Sequence, residues 1–181
     1  GKPTLMNTLV GTKVSIVTPK VQTTRSRVRG IAMHDDAQVI FIDTPGIFTP
    51  KRRLDRAMVS AAWQGASDGD LVVLVHDAAR SQIDDDTLRI LDQLNTNNVR
   101  AALVLNKIDL MDREKLLERA SALSSRAEFS QVFMLSAEKA SGTDDFLKWL
   151  ASQMPEGPYY FDPEDLSDMP QRLLAAEVLR E

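Results

Sequence analysis

Two short runs without a polar residue, Leu71-Val72-Val73-Leu74-Val75 and Ala101-Ala102-Leu103-Val104-Leu105, constrain the fold more than any other feature of the chain. Runs this short and this apolar leave no face for water, so each reads as a strand buried on both sides of a sheet. Such strands need helices above and below them, and the flanking sequence has the spacing to supply them. Residues 84–94 bring Leu88, Leu91 and Leu94 to one helical face, and residues 112–128 do the same with Leu116, Leu117, Ala120 and Leu123. Residues 51–65 repeat the pattern with Leu54, Met58, Ala61 and Ala62. After a last strand at 132–135, Thr143 is placed to N-cap a helix carrying Phe146, Leu147 and Leu150. Strands alternating with helices of this length specify an α/β fold, a mostly parallel sheet with helices on both faces.

The ends of the strands carry the chemistry. The run Val39-Ile40-Phe41-Ile42 stops abruptly in Asp43-Thr44-Pro45-Gly46. An aspartate at the carboxyl end of a buried strand sits where open α/β sheets bind their ligands, and Pro-Gly lets the backbone turn sharply beside a bound group. Upstream, residues 28–34 and 38–44 flank Asp35-Asp36-Ala37 and read as an antiparallel hairpin. Arg25, Arg27 and Arg29 alternate and so share one face of an edge strand. Residues 1–11 read as a helix opened by a phosphate loop and closed by Gly11 as C-cap. Residues 13–17 are β-prone, and 18–25 are polar and aperiodic, the composition of a surface loop that a ligand can order.

Composition removes several alternatives. With 181 residues the chain suits one full domain and a short appendage. The absence of cysteine excludes disulfides and thiolate metal sites and makes a reducing cytosol the expected compartment. No apolar run approaches the roughly 20 residues that span a bilayer. A net charge of −4 argues against broad binding to a phosphate backbone. His34, in a polar turn, and His76, at a strand end, lack partner ligands and read as structural.

Four strand-end elements then fall in order along one sheet. Gly1-Lys2 opens a helix, where free N–H groups favour phosphate and the lysine adds a point charge. Thr23-Thr24 lies in the polar loop, where a hydroxyl can complete a Mg²⁺ shell. Asp43 to Gly46 brings a carboxylate and an unshielded N–H to the same centre. Asn106-Lys107-Ile108-Asp109 suits base reading, since a carboxylate there can accept two hydrogen bonds from the N–H edge of guanine. Each such bond is worth about 1.5–3 kcal/mol, and adenine would leave the carboxylate unpaired. In this reading Asn106 ties loops together, Lys107 lies along the base plane and the Ala137 N–H reaches the guanine oxygen.

Together these residues resemble the Era family of GTPases. Lys2, Gln22-Thr23-Thr24-Arg25, Asp43-Thr44-Pro45-Gly46, Asn106-Lys107-Ile108-Asp109 and Ser136-Ala137-Glu138 match its five nucleotide motifs, Thr24 aligning with the switch threonine. The resemblance implies a P-loop GTP-binding domain over residues 1–154, a linker at 155–170 and the first helix of a truncated KH-like domain at 171–181. It implies GTP or GDP and Mg²⁺ as ligands. Gly1, Lys2, Pro3 and Thr4 would lie along the phosphates, and Thr24 and Asp43 at the metal. The Gly46 N–H would lie at the γ-phosphate, and Asn106, Lys107, Asp109, Ser136, Ala137 and Glu138 around the base. Lys2, Thr24 and Gly46 would carry the hydrolytic step. Ile47 stands where Ras-like enzymes have a water-orienting glutamine, which implies slow intrinsic turnover. The family context implies small ribosomal subunit assembly, contact with its ribosomal RNA, and a cytoplasmic protein with some peripheral association at the inner membrane. The rival readings are an inert nucleotide-binding fragment and a related GTPase acting on transfer RNA or the large subunit.

Three departures from the family pattern carry expectations. Pro3 stands where the family has its Mg²⁺-ligating serine, and Thr4 is no substitute, because one residue along a helix turns a side chain by about 100°. The family's central first strand and most of its glycine-rich loop would precede Gly1. The chain is therefore expected to be part of a longer protein, with open backbone groups beside the strands ending at Asp43 and near Asp77 and with weak nucleotide binding. The KH-like part ends after one helix, without its RNA-reading loop. Little RNA affinity is expected of this chain by itself. A ribosomal RNA tail titrated at physiological salt should bind no tighter than micromolar, and sub-micromolar binding would contradict the reading.

Overall fold

The computed structural model describes residues 2–10, 27–43 and 69–162, with side chains for 4–10, 30–42 and 69–162. The expected segments at 13–25 with Thr24, 51–65, and 163–181 with the KH-like helix lie outside them, as do Gly11 and Gly46. In chain order the elements are α1 (Lys2–Val10), β1 (Arg27–His34), β2 (Ala37–Asp43), β3 (Val72–Asp77) and α2 (Asp85–Thr96). They continue with β4 (Ala101–Asn106), a 3-10 turn (Ile108–Leu110), α3 (Arg113–Ser124), β5 (Val132–Met134) and α4 (Thr143–Gln153).

β4 is the axis of the molecule. All six of its residues are buried, and it pairs in parallel with β3 on one side and β5 on the other. Alternation along the strand sends neighbouring side chains to opposite faces. Val104 joins a core with Leu5 and Leu9 of α1, Ala32 and Val39 of the hairpin, and Phe146 and Leu150 of α4. Leu103 and Leu105 join a second core with Leu91 of α2 and Leu116 and Leu123 of α3. Helices on both faces of a parallel sheet follow from a strand that has no wet side, as the two apolar runs required. Burying each such Leu or Phe side chain contributes about 1.5–3 kcal/mol. Phe133 also packs on Phe146 and Trp149 with ring centroids 4.9 and 5.1 Å apart, the tilted geometry aromatic pairs favour.

β1 and β2 form the expected antiparallel hairpin, turning at Asp35-Asp36. Its ladder slips between Val28 and Gly30, and the shared face expected of Arg25, Arg27 and Arg29 lies outside the described side chains. Among the described residues the hairpin shares no ladder with the β3-β4-β5 sheet. Packing joins them instead, with Val39 and Phe41 of β2 in one cluster with Leu71, Val73 and Val75. α1 lies close against β1 at Gly30, where a Cβ would come within 2.8 Å of Val10 Cγ2. The segment after α4 returns to the hairpin. The Gln38 carboxamide donates to the Phe161 carbonyl at 2.9 Å and accepts from its N–H at 3.1 Å, and the Tyr159 hydroxyl donates to the Asp36 carbonyl.

Several local expectations are corrected. β3 runs on through His76 and Asp77, and Val72 to Val75 are half-buried, because β3 is an edge strand of its sheet among the described residues. α3 stops at Ser124, short of residue 128, since the chain turns at Ser125-Arg126 to drop Ala127 into the second core. Thr143 is not the N-cap of α4. Gly142 takes that place at φ 76°, and the Thr143 hydroxyl donates to the Ala140 carbonyl. A side chain at 142 would crowd the Met134 carbonyl at 3.1 Å in a backbone conformation that favours glycine. Asp84 does cap α2, accepting from Thr87 N at 2.7 Å.

His76 is 3% exposed, and its Nε2 has no hydrogen-bond partner among the described residues. Burial pushes its pKa down from 6.5, the charges of Arg119 and Arg80 push the same way, and Asp84 and Asp77 oppose them. The unfolded chain takes up a proton at about the ordinary value while the folded chain resists it. Stability held above 6.5 is therefore lost as pH falls from there through the lower folded-state value. Urea midpoints should fall between about pH 7 and pH 5, and His76→Leu should flatten that slope.

Candidate functional site

The carboxyl ends of β3, β4 and β5 come together at one edge of the sheet, the side on which parallel sheets bind ligands. Asn106, the last residue of β4, is 2% exposed. Its Oδ1 accepts the Lys107 N–H at 2.8 Å and the Ala137 N–H at 3.0 Å, so one carboxamide fastens the loop after β4 to the loop after β5. Asn106 thus performs the loop-tying role read from the sequence. The Ala137 N–H, expected to face a base, is engaged by Asn106 in this structure.

Lys107 adopts φ 67°, a left-handed conformation that a non-glycine residue holds only with support from its surroundings. Two contacts support it: its N–H on Asn106, and its Nζ on Asp77 Oδ2 at 2.7 Å. Asp77 pairs in register with Asn106, and its other oxygen accepts the Ala79 N–H at 3.0 Å. Burial pushes the Asp77 carboxyl up, but Lys107, the Ala79 N–H and the Arg80 charge outweigh it and hold the group below 3.8. The carboxylate is ionised at neutral pH with both oxygens engaged. Asp109 follows in the 3-10 turn and is exposed, as a carboxylate reaching for a ligand must be.

The loop after β5 is closed by its own hydrogen bonds. Ser136 and Ser141 exchange backbone hydrogen bonds at 2.9 and 3.0 Å, and the buried Ser136 hydroxyl accepts the Lys139 N–H. Glu138 points outward and is exposed. α1 is tied to this loop through Thr8, whose hydroxyl lies 2.8 Å from the Ala137 carbonyl and 2.9 Å from that of Thr4. The helix begins at Lys2, so its free N–H groups and dipole face outward from that end.

The structure therefore gathers Asn106, Lys107, Ser136 and Ala137, with Asp109 and Glu138 exposed beside them. Thr4 is exposed on α1. Gly1, Thr24 and Gly46 lie outside the described residues, as do the side chains of Lys2, Pro3 and Asp43. Among the described residues, which exclude Thr24 and the Asp43 side chain, no group of three or more His, Asp or Glu could hold a metal ion. A cation held largely by phosphate oxygens and water needs no such group. Sequence reasoning missed Asp77 and Thr8. Asp77 had a signal, because it ends a strand as Asp43 does; Thr8 had none, since only folding brings it to residue 137. Asn106→Ala would leave the buried Ala137 N–H unpaired, at a cost of about 1–3 kcal/mol. Urea unfolding should register that loss as a lower midpoint.

Among the described residues no helix is long and apolar enough to cross a membrane. A family model described as "50S ribosome-binding GTPase" matches residues 1–107. The chain is 53% identical over 181 residues to the GTPase Era of Sinorhizobium medicae, covering 100% of this chain and 58% of that protein. It is 49% identical over 184 residues to the GTPase Era of Dinoroseobacter shibae, with 59% of that protein covered. The chain thus spans a little under three fifths of the curated relatives it matches. It also superposes on an Era crystal structure in complex with MgGDPNP and nucleotides 1506–1542 of 16S ribosomal RNA. There the TM-score is 0.77 and the identity 36%, over 100% of this chain and 62% of that one. With a P-loop GTPase fold and these relatives, the chain belongs to the family of ribosome-binding GTPases and stands among its Era members.

Proposed function

We propose that the chain is the guanine-nucleotide domain of a GTP-hydrolysing switch that acts in assembly of the small ribosomal subunit. The observation that carries this reading is the Asn106 carboxamide joining the loops after β4 and β5, with Lys107 held upright beside it and Asp109 exposed one turn on. Asp109 accepts the N–H edge of guanine, Lys107 lies against the base plane, and Ser136, Ala137 and Glu138 frame its far side. Gly1, Lys2, Pro3 and Thr4 follow the phosphates at the start of α1, where helix N–H groups favour anions. Thr24 and Asp43 are the candidate Mg²⁺ ligands, and Gly46 offers its N–H to the γ-phosphate. Bound Mg²⁺ neutralises charge on the phosphate oxygens. No side chain in the set is a general base, so hydrolysis depends on positioning.

The Era structure bound to MgGDPNP and 16S ribosomal RNA supports the ligands and the small-subunit partner by kinship. The words "50S ribosome-binding" in the matching family description favour one alternative, action on the large subunit. Co-sedimentation of the full-length protein with purified subunits separates the two.

The base assignment has a direct test. GDP should outcompete ADP for the unmodified protein, and Asp109→Asn should shift the preference toward xanthine nucleotides, whose edge carries an acceptor in place of the amino donor. The shift should reach at least tenfold, the equivalent of about 1.4 kcal/mol for one charge-assisted bond lost and regained. Equal competition by ATP and GTP would overturn the assignment, and phosphate release under the same conditions distinguishes a switch that turns over from one that only binds.

A further inference from the structure

The geometry points to Asp77 as a positioning residue for guanine-nucleotide binding, acting through Lys107; the inference rests on the guanine reading above. Three observations converge on it. Asp77 is aligned with Asn106 at the ligand-binding edge of the sheet, although it belongs to a different strand. Its Oδ2 holds the Lys107 Nζ at 2.7 Å while its Oδ1 accepts the Ala79 N–H at 3.0 Å. The carboxylate cannot swivel without losing one of these contacts, so the ammonium is held against a fixed point. Finally, Lys107 is anchored at its other end, by φ 67° and by its N–H on Asn106.

A lysine is among the most rotamer-rich side chains, and fixing one on a ligand costs binding affinity. Here the fold fixes it beforehand. The stem of Lys107 runs between the Asn106 loop and Asp77, so it is already extended along the edge of the site. An ordinary ion pair with side chains 38% and 26% exposed adds little to folding. The effect of Asp77 therefore falls on the ligand more than on stability. Among the described residues Arg80, whose charge also acts on Asp77, is itself ion-paired with Asp84, and Lys107 is the cation bonded to the Asp77 carboxylate.

The test is a double-mutant cycle in the full-length protein, read by equilibrium titration with a fluorescent GDP. Asp77→Asn and Lys107→Met should each weaken GDP binding by about 3- to 10-fold. The double variant should bind no more weakly than Lys107→Met alone, because Asp77 has nothing left to position. Asp77→Glu, which keeps the charge, should recover part of the loss, and it serves if the asparagine variant folds poorly. Asp77→Asn with wild-type affinity overturns the inference. So does a loss that is undiminished in the Lys107→Met background, since that is the mark of a general structural role. Asp109→Asn run in parallel keeps the two readings apart. An Asp109 variant that leaves base preference unchanged overturns the guanine reading itself, and a normal Asp109 response beside an inert Asp77 overturns only this inference.

Discussion

The Asn106 carboxamide is the interaction on which the site depends. β4 is buried along its whole length, so its last residue reaches the edge of the sheet from inside the core, where water cannot compete for hydrogen bonds. A polar side chain in that place must be satisfied by the protein. The oxygen of Asn106 is satisfied by two backbone N–H groups from two loops, and those loops cannot move apart without leaving a buried donor unpaired. The left-handed turn at Lys107, the ion pair to Asp77 and the tight Ser136–Ser141 bridge all follow from that fixed junction.

The same logic joins the two halves of the site. α1 carries the candidate phosphate end and α1 packs on the hairpin, yet its Thr8 hydroxyl reaches the Ala137 carbonyl in the loop beside Asn106. The candidate phosphate end and the candidate base end are therefore linked through one helix. The hairpin and the three-stranded sheet have no common ladder among the described residues, so their relative placement rests on side-chain packing. Leu5, Leu9, Val39, Val104 and Phe146 supply it from four elements. Packing of this kind is dense but less directional than a hydrogen-bonded ladder, so the Thr8 bond, the Gln38 grip on Phe161 and the Tyr159 hydroxyl on Asp36 add directional ties among the described residues.

The layered α/β fold could be read from the sequence because buried strands and amphipathic helices leave strong periodic marks. The apolar run at 101–105 predicted β4 almost to the residue. Where the reading failed, the missing information was not local. The extent of α3 depended on whether Ala127 is drawn into the core, and the cap of α4 depended on a glycine whose neighbours, Met134 and Leu135, are the last residue of β5 and the one after it. Half-burial of β3 reflects which strands lie beside it, and no pattern within Leu71 to Val75 records that. In the site, Asn106 and its role were legible because a strand end, a carboxamide and a lysine occur together. The Asp77–Lys107 pair was not, since the partners are thirty residues apart and meet only through parallel register.

That distribution of roles bears on how such a site discriminates. On the guanine reading, a base oxygen approaching Ala137 would compete with Asn106 for an N–H already in use. Exchanging one hydrogen bond for another changes free energy little, so this contact orients the base and contributes little selectivity. Lys107 is committed to Asp77 and presents its methylene stem, which packs against any purine alike. The exposed Asp109 differs from both. Exposed as it is, its carboxylate would gain two charge-assisted bonds from a base with an N–H edge, and would face an acceptor or an empty edge with any other. On that reading selectivity would concentrate in Asp109, which stands in solvent, while the buried Asn106 keeps it in register with the rest.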